Sequence, residues 1–128
     1  MQTFLKSERL CEKKLIAQVF EKGKSFYITP FKIVYFPVPF VSEFPIKVLI
    51  TLTTRNFKNA TDRNRIKRII REAYRKNKDQ LYGVFKKEEK WAVAIIYTSK
   101  NIISFGEVEA KIILILQRLA IEHNKRNE

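Results

Sequence analysis

The sequence is poor in the residues that build disulfide-bonded or zinc-stabilised folds. Its 128 residues include one cysteine, Cys11, and one histidine, His123. A single thiol excludes an internal disulfide, and the two residues together are too few for a site with several Cys or His ligands. We expect Cys11 to be a small residue on the first helix and His123 to lie at the surface of a polar C-terminal tail. This cysteine usage fits a reducing cytoplasm, which is the expected location.

Long apolar runs are missing too, and glycine is scarce. The longest near-continuous apolar stretches, at 91–97 and 112–116, fall well short of the roughly 20 residues that a membrane span needs. The N-terminus, MQTFLKSERL, carries charge before any apolar run and does not resemble a signal peptide. Three glycines exclude collagen-like and glycine-rich chains. With 45% hydrophobic residues, we expect a single domain over residues 1–128, with a frayed tail at 125–128.

Positive charge is what the sequence has in excess. Lys and Arg number 26 against 13 Asp and Glu, which gives a net charge of +13. Residues 55–78 alone hold ten basic and two acidic side chains, whereas residues 101–128 are neutral overall. Self-repulsion of this size opposes compaction, and a polyanionic partner would offset it. The charge therefore predicts a focused patch for nucleic acid or, less readily, for an acidic membrane surface.

Hydrophobic periodicity predicts an alternation of helices and strands. The predicted elements are a helix at 8–22, a short extra strand near 26–28, strands at 31–36 and 46–53, a helix at 62–76, a strand at 91–98 and a long final helix that opens with a capping box at Ser104 and Glu107. We expect Ser7 to cap the first helix, and Thr61 or Asp62 to cap the helix at 62–76. Three prolines between 37 and 45 predict a turn that joins the flanking strands as a pair.

The helix at 62–76 combines a buried stripe with a basic face. Its apolar positions, spaced for one side of a helix, are Ile66, Ile69, Ile70, Ala73 and Tyr74. The opposite side carries Asn64, Lys67, Arg68, Arg71 and Arg75, with Arg63 and Arg65 on the flanks. Arginine predominates, and its planar guanidinium binds phosphate oxygens in pairs. A merely solvated face is the alternative, which Glu72 supports, but this one acid does not balance the six basic residues named above, so nucleic-acid binding is favoured.

The run RNRIKRIIREAYR at residues 63–75 resembles the protein component of bacterial ribonuclease P. That family's helix begins with Arg-Asn-Arg, followed by Lys-Arg and Arg-Glu, which stand here at Arg63, Asn64, Arg65, Lys67, Arg68 and Arg71. Most of residues 7–80 share the resemblance, including Asn59-Ala60 and Gly23, whereas the C-terminal third agrees only in element order. The resemblance implies an α/β fold (an α+β sandwich) in the order αβββαβα. It also implies a central mixed sheet packed by helices and a left-handed βαβ crossover, a rare exception to the right-handed rule.

The resemblance also implies a function in transfer RNA maturation. In this family the RNA subunit is the catalyst, which removes the 5′ leader of precursor transfer RNA with bound metal ions. The chain would be the accessory subunit of this endoribonuclease, with no catalytic residue, metal or cofactor of its own and with Mg²⁺ at the RNA active site. Its partners would be the catalytic RNA and precursor transfer RNA, with no membrane and no DNA. The sequence agrees, because it has no HExxH, glycine-rich phosphate loop or carboxylate cluster.

We expect the first RNA-binding surface on the basic helix and the loop before it. There the phosphates of the catalytic RNA would be held by Arg55, Lys58, Arg63, Asn64, Arg65, Lys67, Arg68, Arg71 and Arg75. The net positive charge of this segment predicts binding that weakens steeply as salt is added.

The second expected surface is a cleft between the first helix and the sheet, which would hold the single-stranded leader. Alternation along the strand at 31–36 places Lys32 on one face, and burying an unpaired lysine is costly, so that face is expected to be open. The cleft residues would be Ile16, Phe20, Lys32, Val34 and Phe36. Aromatic stacking tolerates varied bases, as a leader requires. Core packing is an equal alternative for Phe20 and Phe36, and it is favoured for Tyr35 and Trp91.

Two other functions remain open at this point. A ribosomal or other structural RNA-binding protein would explain the charge but not the spacing of RNRIKRIIRE. A protein-only, metal-dependent nuclease would need clustered acidic ligands, whereas the 13 acidic residues are scattered. Incubating precursor transfer RNA with the protein, with and without the catalytic RNA at low Mg²⁺, distinguishes the three.

Overall fold

A four-stranded sheet with helices on both faces forms the framework. The computed structural model describes residues 8–38, 44–53, 57, 59–86, 89–101 and 103–126. In chain order the elements are α1 (Lys13–Lys22), β1 (Lys24–Ile28), β2 (Phe31–Pro37), β3 (Ile46–Leu52), α2 (Ala60–Asn77), α3 (Asp79–Tyr82), β4 (Trp91–Tyr97) and α4 (Phe105–Arg126). The predicted αβββαβα order is confirmed. β1 is the predicted short extra strand, whereas the one-turn helix α3 was not predicted.

The strands lie in the order β1-β2-β4-β3. β1 and β4 are antiparallel to β2, whereas β3 runs parallel to β4, so the sheet is mixed as expected. The prediction that β2 and β3 form a pair is wrong, because β4 lies between them, with Val93 opposite both Tyr35 and Val48. The apolar run of β4 suits this position, since a central strand is covered on both faces.

Helices α2 and α4 cover one face of the sheet. This main core takes Phe31, Ile33 and Tyr35 from β2 together with alternate residues of β3 and β4. The apolar stripe of α2 docks into it as predicted, with Ile66, Ile70, Ala73 and Tyr74 buried and Ile69 partly buried. Tyr35 and Trp91 are core residues, as favoured by the sequence, and their rings stack with centroids 5.0 Å apart.

Helix α1 packs on the opposite face, over a smaller buried cluster. The cluster comprises Leu10, Val19, Val34, Ala92 and Ala94. α1 begins at Lys13 rather than at residue 8, because the preceding residues turn to the edge of β3 instead. There Arg9 bridges to Val48, and the Leu10 N–H donates to the Val48 carbonyl at 2.9 Å. The predicted cap, Ser7, lies outside the described residues, and exposed Cys11 precedes α1 rather than lying on it.

Side-chain caps set the N-terminal ends of α2 and α4. The Asn59 side chain accepts from the Thr61 N–H at 2.8 Å, so the cap predicted at Thr61 or Asp62 is wrong, and the helix begins earlier, at Ala60. Ser104 caps α4, as the predicted capping box requires: the Glu107 N–H donates to Ser104 Oγ at 3.2 Å, and the Ser104 hydroxyl donates to Glu107 Oε1 at 3.3 Å. α4 continues to Arg126, so residues 125 and 126 are helical, whereas 127 and 128 lie outside the described part.

His123 is buried, which contradicts its predicted place at the surface. It is 3% exposed, its Nε2 lies 2.8 Å from Glu89 Oε2, and its ring packs 4.2 Å from that of Phe85. The polar residues around His123 in the sequence reflect only the solvent-facing side of α4. The groups that cover and pair with His123 come from the segment before β4, which local composition does not reveal.

Candidate nucleic-acid interface

The exposed face of α2 forms a basic hollow, which we call the α2 depression. It has a volume of about 400 Å³ and is lined by Thr61, Asn64, Arg65, Lys67, Arg68 and Arg71. Because the apolar stripe of α2 is fixed in the main core, the opposite side must face solvent. Four cations line the depression, and none of its lining residues is acidic. Four of the predicted basic residues and Asn64 are thus brought together on one surface.

Two other predicted RNA-binding residues on α2 have partners within the protein. Arg63 Nη1 donates to the Phe57 carbonyl at 2.7 Å and so holds the segment before the helix. Arg75 Nε donates to Glu72 Oε2 at 3.0 Å. The Arg75 guanidinium lowers the pKa of Glu72, which stays ionised and already paired. Glu72 is therefore compensated by Arg75 and leaves the charge of the α2 depression unbalanced.

The remaining two predicted residues of this surface, Arg55 and Lys58, lie outside the described part of the chain. The segment that contains them immediately precedes Asn59, which caps α2.

Arg71 joins the α2 depression to a smaller hollow at the edge of β3. This second hollow, of about 140 Å³, is lined by Arg9, Leu10, Cys11, Val48, Leu49, Ile50 and Arg71. Arg9 was not among the predicted site residues. Its position beside Arg71 depends on the bridge between the N-terminal segment and β3, so no local sequence signal could have found it. The basic surface therefore extends from α2 toward the N-terminal segment.

Three of the five predicted cleft residues pack together on the α1 face of the sheet. Ile16 and Phe36 pack partly buried against the cluster that contains Val34. Val34 itself is 5% exposed, so it offers little surface to a ligand. Alternation along β2 places Lys32 on this same face, as predicted, and Lys32 is partly exposed. Phe20 is 49% exposed, which excludes the core-packing alternative for its ring.

Tyr27 is an exposed aromatic residue on this face that was absent from the predicted site. It lies opposite Lys32 in the β1–β2 register and is 66% exposed. The Lys32 Nζ lies 5.7 Å from the centre of the Tyr27 ring. An accessible ring beside a cation is an arrangement suited to stacking on the bases of a single strand. The predicted strand near 26–28 was the signal, since alternation within it separates Tyr27 from buried Phe26.

These surfaces offer cations and aromatic rings. Among the described residues, no group of three or more His, Cys, Asp or Glu side chains could hold a metal ion. Three separate carboxylates, Glu12, Glu72 and Glu122, have a lowered pKa, each chiefly because a lysine or arginine hydrogen-bonds to it. No helix in the described ranges is long and apolar enough to cross a membrane.

Comparisons with known proteins lead to one family. The family model described as "Ribonuclease P" matches residues 4–120. A ribonuclease P protein component from Porphyromonas gingivalis is 35% identical over 119 residues, which cover 90% of this chain and 85% of that protein. The RNase P protein from Thermotoga maritima superposes with a TM-score of 0.68 at 26% identity, covering 87% of this chain and 96% of that one. The Staphylococcus aureus RNase P protein shares the fold, with a TM-score of 0.68 at 18% identity over 88% and 94% of the two chains. These matches agree with the motif on α2, and the chain belongs to the ribonuclease P protein family.

Proposed function

We propose that this ribonuclease P protein binds the catalytic RNA through α2 and the 5′ leader of precursor transfer RNA through the α1 face of the sheet. By holding both, it promotes 5′-end maturation in the cytoplasm. Catalysis resides in the RNA subunit, with Mg²⁺ at the RNA active site. The cations of the α2 depression and the exposed rings on the α1 face support the RNA-binding part of this proposal.

The α2 depression is the observation that carries the RNA-binding role. Its four cations are held on one rigid helix, and its lining contains no acid to compete with phosphate. Arg65, Arg68 and Arg71 offer paired donors to phosphate oxygens, whereas Lys67 acts as a point charge. A general structural RNA-binding protein would share the charge, but it would not account for the family match over residues 4–120.

The leader-binding role is supported by the exposed rings on the other face of the sheet. Phe20 is 49% and Tyr27 is 66% exposed, and Lys32 places a positive charge beside Tyr27. Base stacking on such rings is worth about 1–3 kcal/mol per base and depends little on base identity. In this proposal Ile16, Val34 and Phe36 form the packed floor that holds α1 on the sheet.

Charge reversal on α2 tests the first surface. We expect Arg68→Glu/Arg71→Glu to weaken binding to the catalytic RNA and to reduce the slope of log affinity against log salt by about 2, because two phosphate contacts are lost. Arg68 is exposed and Arg71 is partly exposed, so unfolding is measured beside binding and should change little. The measurement is a binding isotherm for the catalytic RNA at several salt concentrations.

Lys86→Glu/Lys100→Glu is the matched control, since it makes the same change in net charge at exposed residues that do not line the α2 depression. We expect this control to retain most of the affinity. If both double variants lose affinity equally, net charge alone governs binding and the α2 depression is not the contact. Cleavage of precursor transfer RNA by the protein without the RNA subunit would contradict the proposed division of labour.

Removing the exposed rings tests the second surface. Phe20→Ala/Tyr27→Ala should weaken the binding of precursor transfer RNA to the reconstituted ribonucleoprotein about tenfold or more, through loss of stacking. Binding of mature transfer RNA, which has no leader, should be unchanged and serves as the internal control. An equal loss for both RNAs would show that the rings do not contact the leader.

A further inference from the structure

A pocket of about 290 Å³ lies where the C-terminal ends of α1 and α4 meet the ends of β2 and β4. We call it the α1–α4 pocket. Its volume is near the lower end of the range for small-molecule sites. None of the residues that line the α2 depression lines it. It is therefore separate from the α2 depression, and it shares one residue, Phe36, with the proposed leader-binding face.

The pocket occupies the space beside the end of β2 that β1 does not cover. The β1–β2 register begins with Lys24 opposite Tyr35, so β2 continues past β1 through Phe36 and Pro37. Phe36 is partly exposed, and it lines the pocket together with Pro37. Deeper in the wall, Tyr35 and Trp91 are stacked on each other and buried. The pocket thus presents an apolar surface beside the accessible ring of Phe36.

Positive charge surrounds this apolar surface. Lys22 ends α1, Lys24 begins β1, and Lys125 extends from the last turns of α4 to the same pocket. Lys22 and Lys24 are exposed, and neither forms an ion pair with a residue in the described ranges. Three separate elements therefore bring their cations to one small volume.

The single acid in the pocket lining is already compensated. Glu122 Oε1 accepts from Arg118 Nε at 2.9 Å, and Glu122 Oε2 accepts from the Tyr35 hydroxyl at 3.2 Å. These hydrogen bonds, with Arg118 the larger cause, lower the pKa of Glu122. Lys125 Nζ also lies 3.9 Å from Glu122 Oε1, so this carboxylate is shared by two cations. Lys22, Lys24 and Lys125 outnumber this one acid and leave the pocket lining net positive.

We propose that the α1–α4 pocket binds a nucleoside monophosphate unit, with its base against Phe36 and Pro37 and its phosphate among Lys22, Lys24 and Lys125. Lysine binds phosphate as a point charge, and an aromatic side chain stacks on any base. A bare phosphate would leave the apolar surface uncovered, and an uncharged nucleoside would leave the lysines without a counter-charge. The unit is either a free nucleotide or one residue of an RNA strand.

Trp91 provides the readout, because it is the only tryptophan of the chain and lines the pocket. Titration with 5′-AMP should change its fluorescence in a saturable way. Adenosine and inorganic phosphate should each bind about tenfold or more weakly, since each supplies only part of the contacts. If phosphate binds as tightly as 5′-AMP, the ring contact has no role and the assignment is wrong.

Substitution of the lysines locates the binding. Lys22→Ala/Lys24→Ala/Lys125→Ala should raise the dissociation constant for 5′-AMP about tenfold or more. Lys14→Ala/Lys86→Ala/Lys100→Ala loses the same charge at exposed positions that do not line the pocket, and it should bind like the parent protein. Equal losses in the two triple variants would overturn the proposal, as would full affinity in the first.

A short oligouridylate compared with 5′-UMP distinguishes the two sources of the ligand. If the oligomer binds more tightly than the mononucleotide and loses this affinity in the Lys22/Lys24/Lys125 variant, the pocket takes a residue of an RNA strand. If the two bind equally and both depend on these lysines, it takes a free nucleotide. If oligouridylate binding does not depend on the lysines while 5′-UMP binding does, the strand binds elsewhere and the pocket again takes the free nucleotide.

Discussion

Gly23 shows how the absence of one side chain lets α1 reach the sheet. A Cβ atom here would lie 2.3 Å from the Val19 carbonyl oxygen and 2.7 Å from Val34 Cγ1. Its backbone is extended, with φ −70° and ψ 154°, so any residue could adopt the conformation. The Gly23 N–H also donates to the Val19 carbonyl at 2.8 Å and closes the helix. Space, rather than backbone freedom, requires glycine at this position.

Gly23→Ala is therefore expected to lower the free energy of unfolding by about 1–3 kcal/mol, the usual cost of overpacking. Two of the three atoms nearest to the new methyl group are backbone oxygens, of Val19 and of Tyr35 at 3.0 Å, and the third belongs to the stiff side chain of Val34. Gly106→Ala is the matched control, because a Cβ at that position meets nothing within 4 Å and removes a helical glycine. We expect it to be neutral or to stabilise by up to about 1 kcal/mol. Urea unfolding measures both, and equal effects would contradict the close-approach argument.

The burial or exposure of a single residue was predictable only where its place in the repeat of a helix or strand decides it. The buried stripe of α2 follows from helical spacing alone, and so does the exposure of Arg65 and Arg68 on the other side. Arg9 and His123 were placed incorrectly or overlooked because their neighbours come from distant parts of the chain. For such residues, the local sequence does not show which distant side chains surround them.

At the scale of elements, a buried ion pair ties the N-terminal segment to the junction of α2 and α3. Glu8 is 0% and Lys78 is 4% exposed, and Lys78 Nζ lies 2.7 Å and 2.6 Å from the two carboxylate oxygens. The Tyr82 hydroxyl donates to the same carboxylate at 2.7 Å and is itself 2.8 Å from the Tyr74 hydroxyl. Lys78 is thus one base of the 55–78 segment that points into the protein instead of toward a partner.

Lys78→Met should lower the free energy of unfolding by about 3–5 kcal/mol, because it leaves the Glu8 carboxylate buried without its cation. In Glu8→Gln/Lys78→Met the charge is removed as well, so the double variant should be less destabilised than the sum of the two single variants. Urea unfolding of all four proteins gives the coupling between the two sites. Strictly additive losses would show that the pair is not coupled.

Element positions were predicted well, whereas element partners were not. Periodicity located β2, β3 and β4 to within about a residue, since alternation and β-branched content mark a strand. The pairing of β2 with β3 was inferred from their adjacency in sequence, but a strand from beyond α2 separates them. The sequence of a single strand does not determine which other strand pairs with each of its edges.

At the scale of the whole molecule, ion pairs link stability to pH. Glu12, Glu72 and Glu122 have a lowered pKa in the folded protein, caused chiefly by Lys47, Arg75 and Arg118 respectively. A carboxyl group with a lowered folded pKa stabilises the protein above its ordinary value of 4.5, and this contribution disappears as the pH falls through the folded pKa. Protonation also raises an already large positive charge.

We therefore expect the free energy of unfolding to fall between about pH 6 and about pH 3, as the carboxylates lose their charge. Added salt should restore part of the loss at acid pH by screening the repulsion among cations. Urea unfolding across this range, at low and high salt, is the measurement. Glu12→Gln/Glu122→Gln should show a shallower pH dependence, and a stability that rises with acid would contradict the linkage.

The overall fold class was predictable because the family motif on α2 implied it, and the mixed sheet with helices on both faces agrees. The two proposed RNA-binding surfaces lie on different layers, one on α2 and one on the α1 face of the sheet. The sequence indicated both, since charge marks the first and strand alternation the second. The α1–α4 pocket was not predictable, because it exists only where the ends of five elements meet.

The central position of β4 has a consequence for synthesis on the ribosome. β4 is the last strand to be made, yet it is the one that joins β2 to β3. At about 5–20 residues per second, the interval between completion of β3 and completion of β4 is about 2–9 seconds. During that interval α2 has been made, but the sheet against which it packs is incomplete. The nascent chain therefore exposes both faces of its most basic helix, apolar stripe included, until residue 97 has emerged.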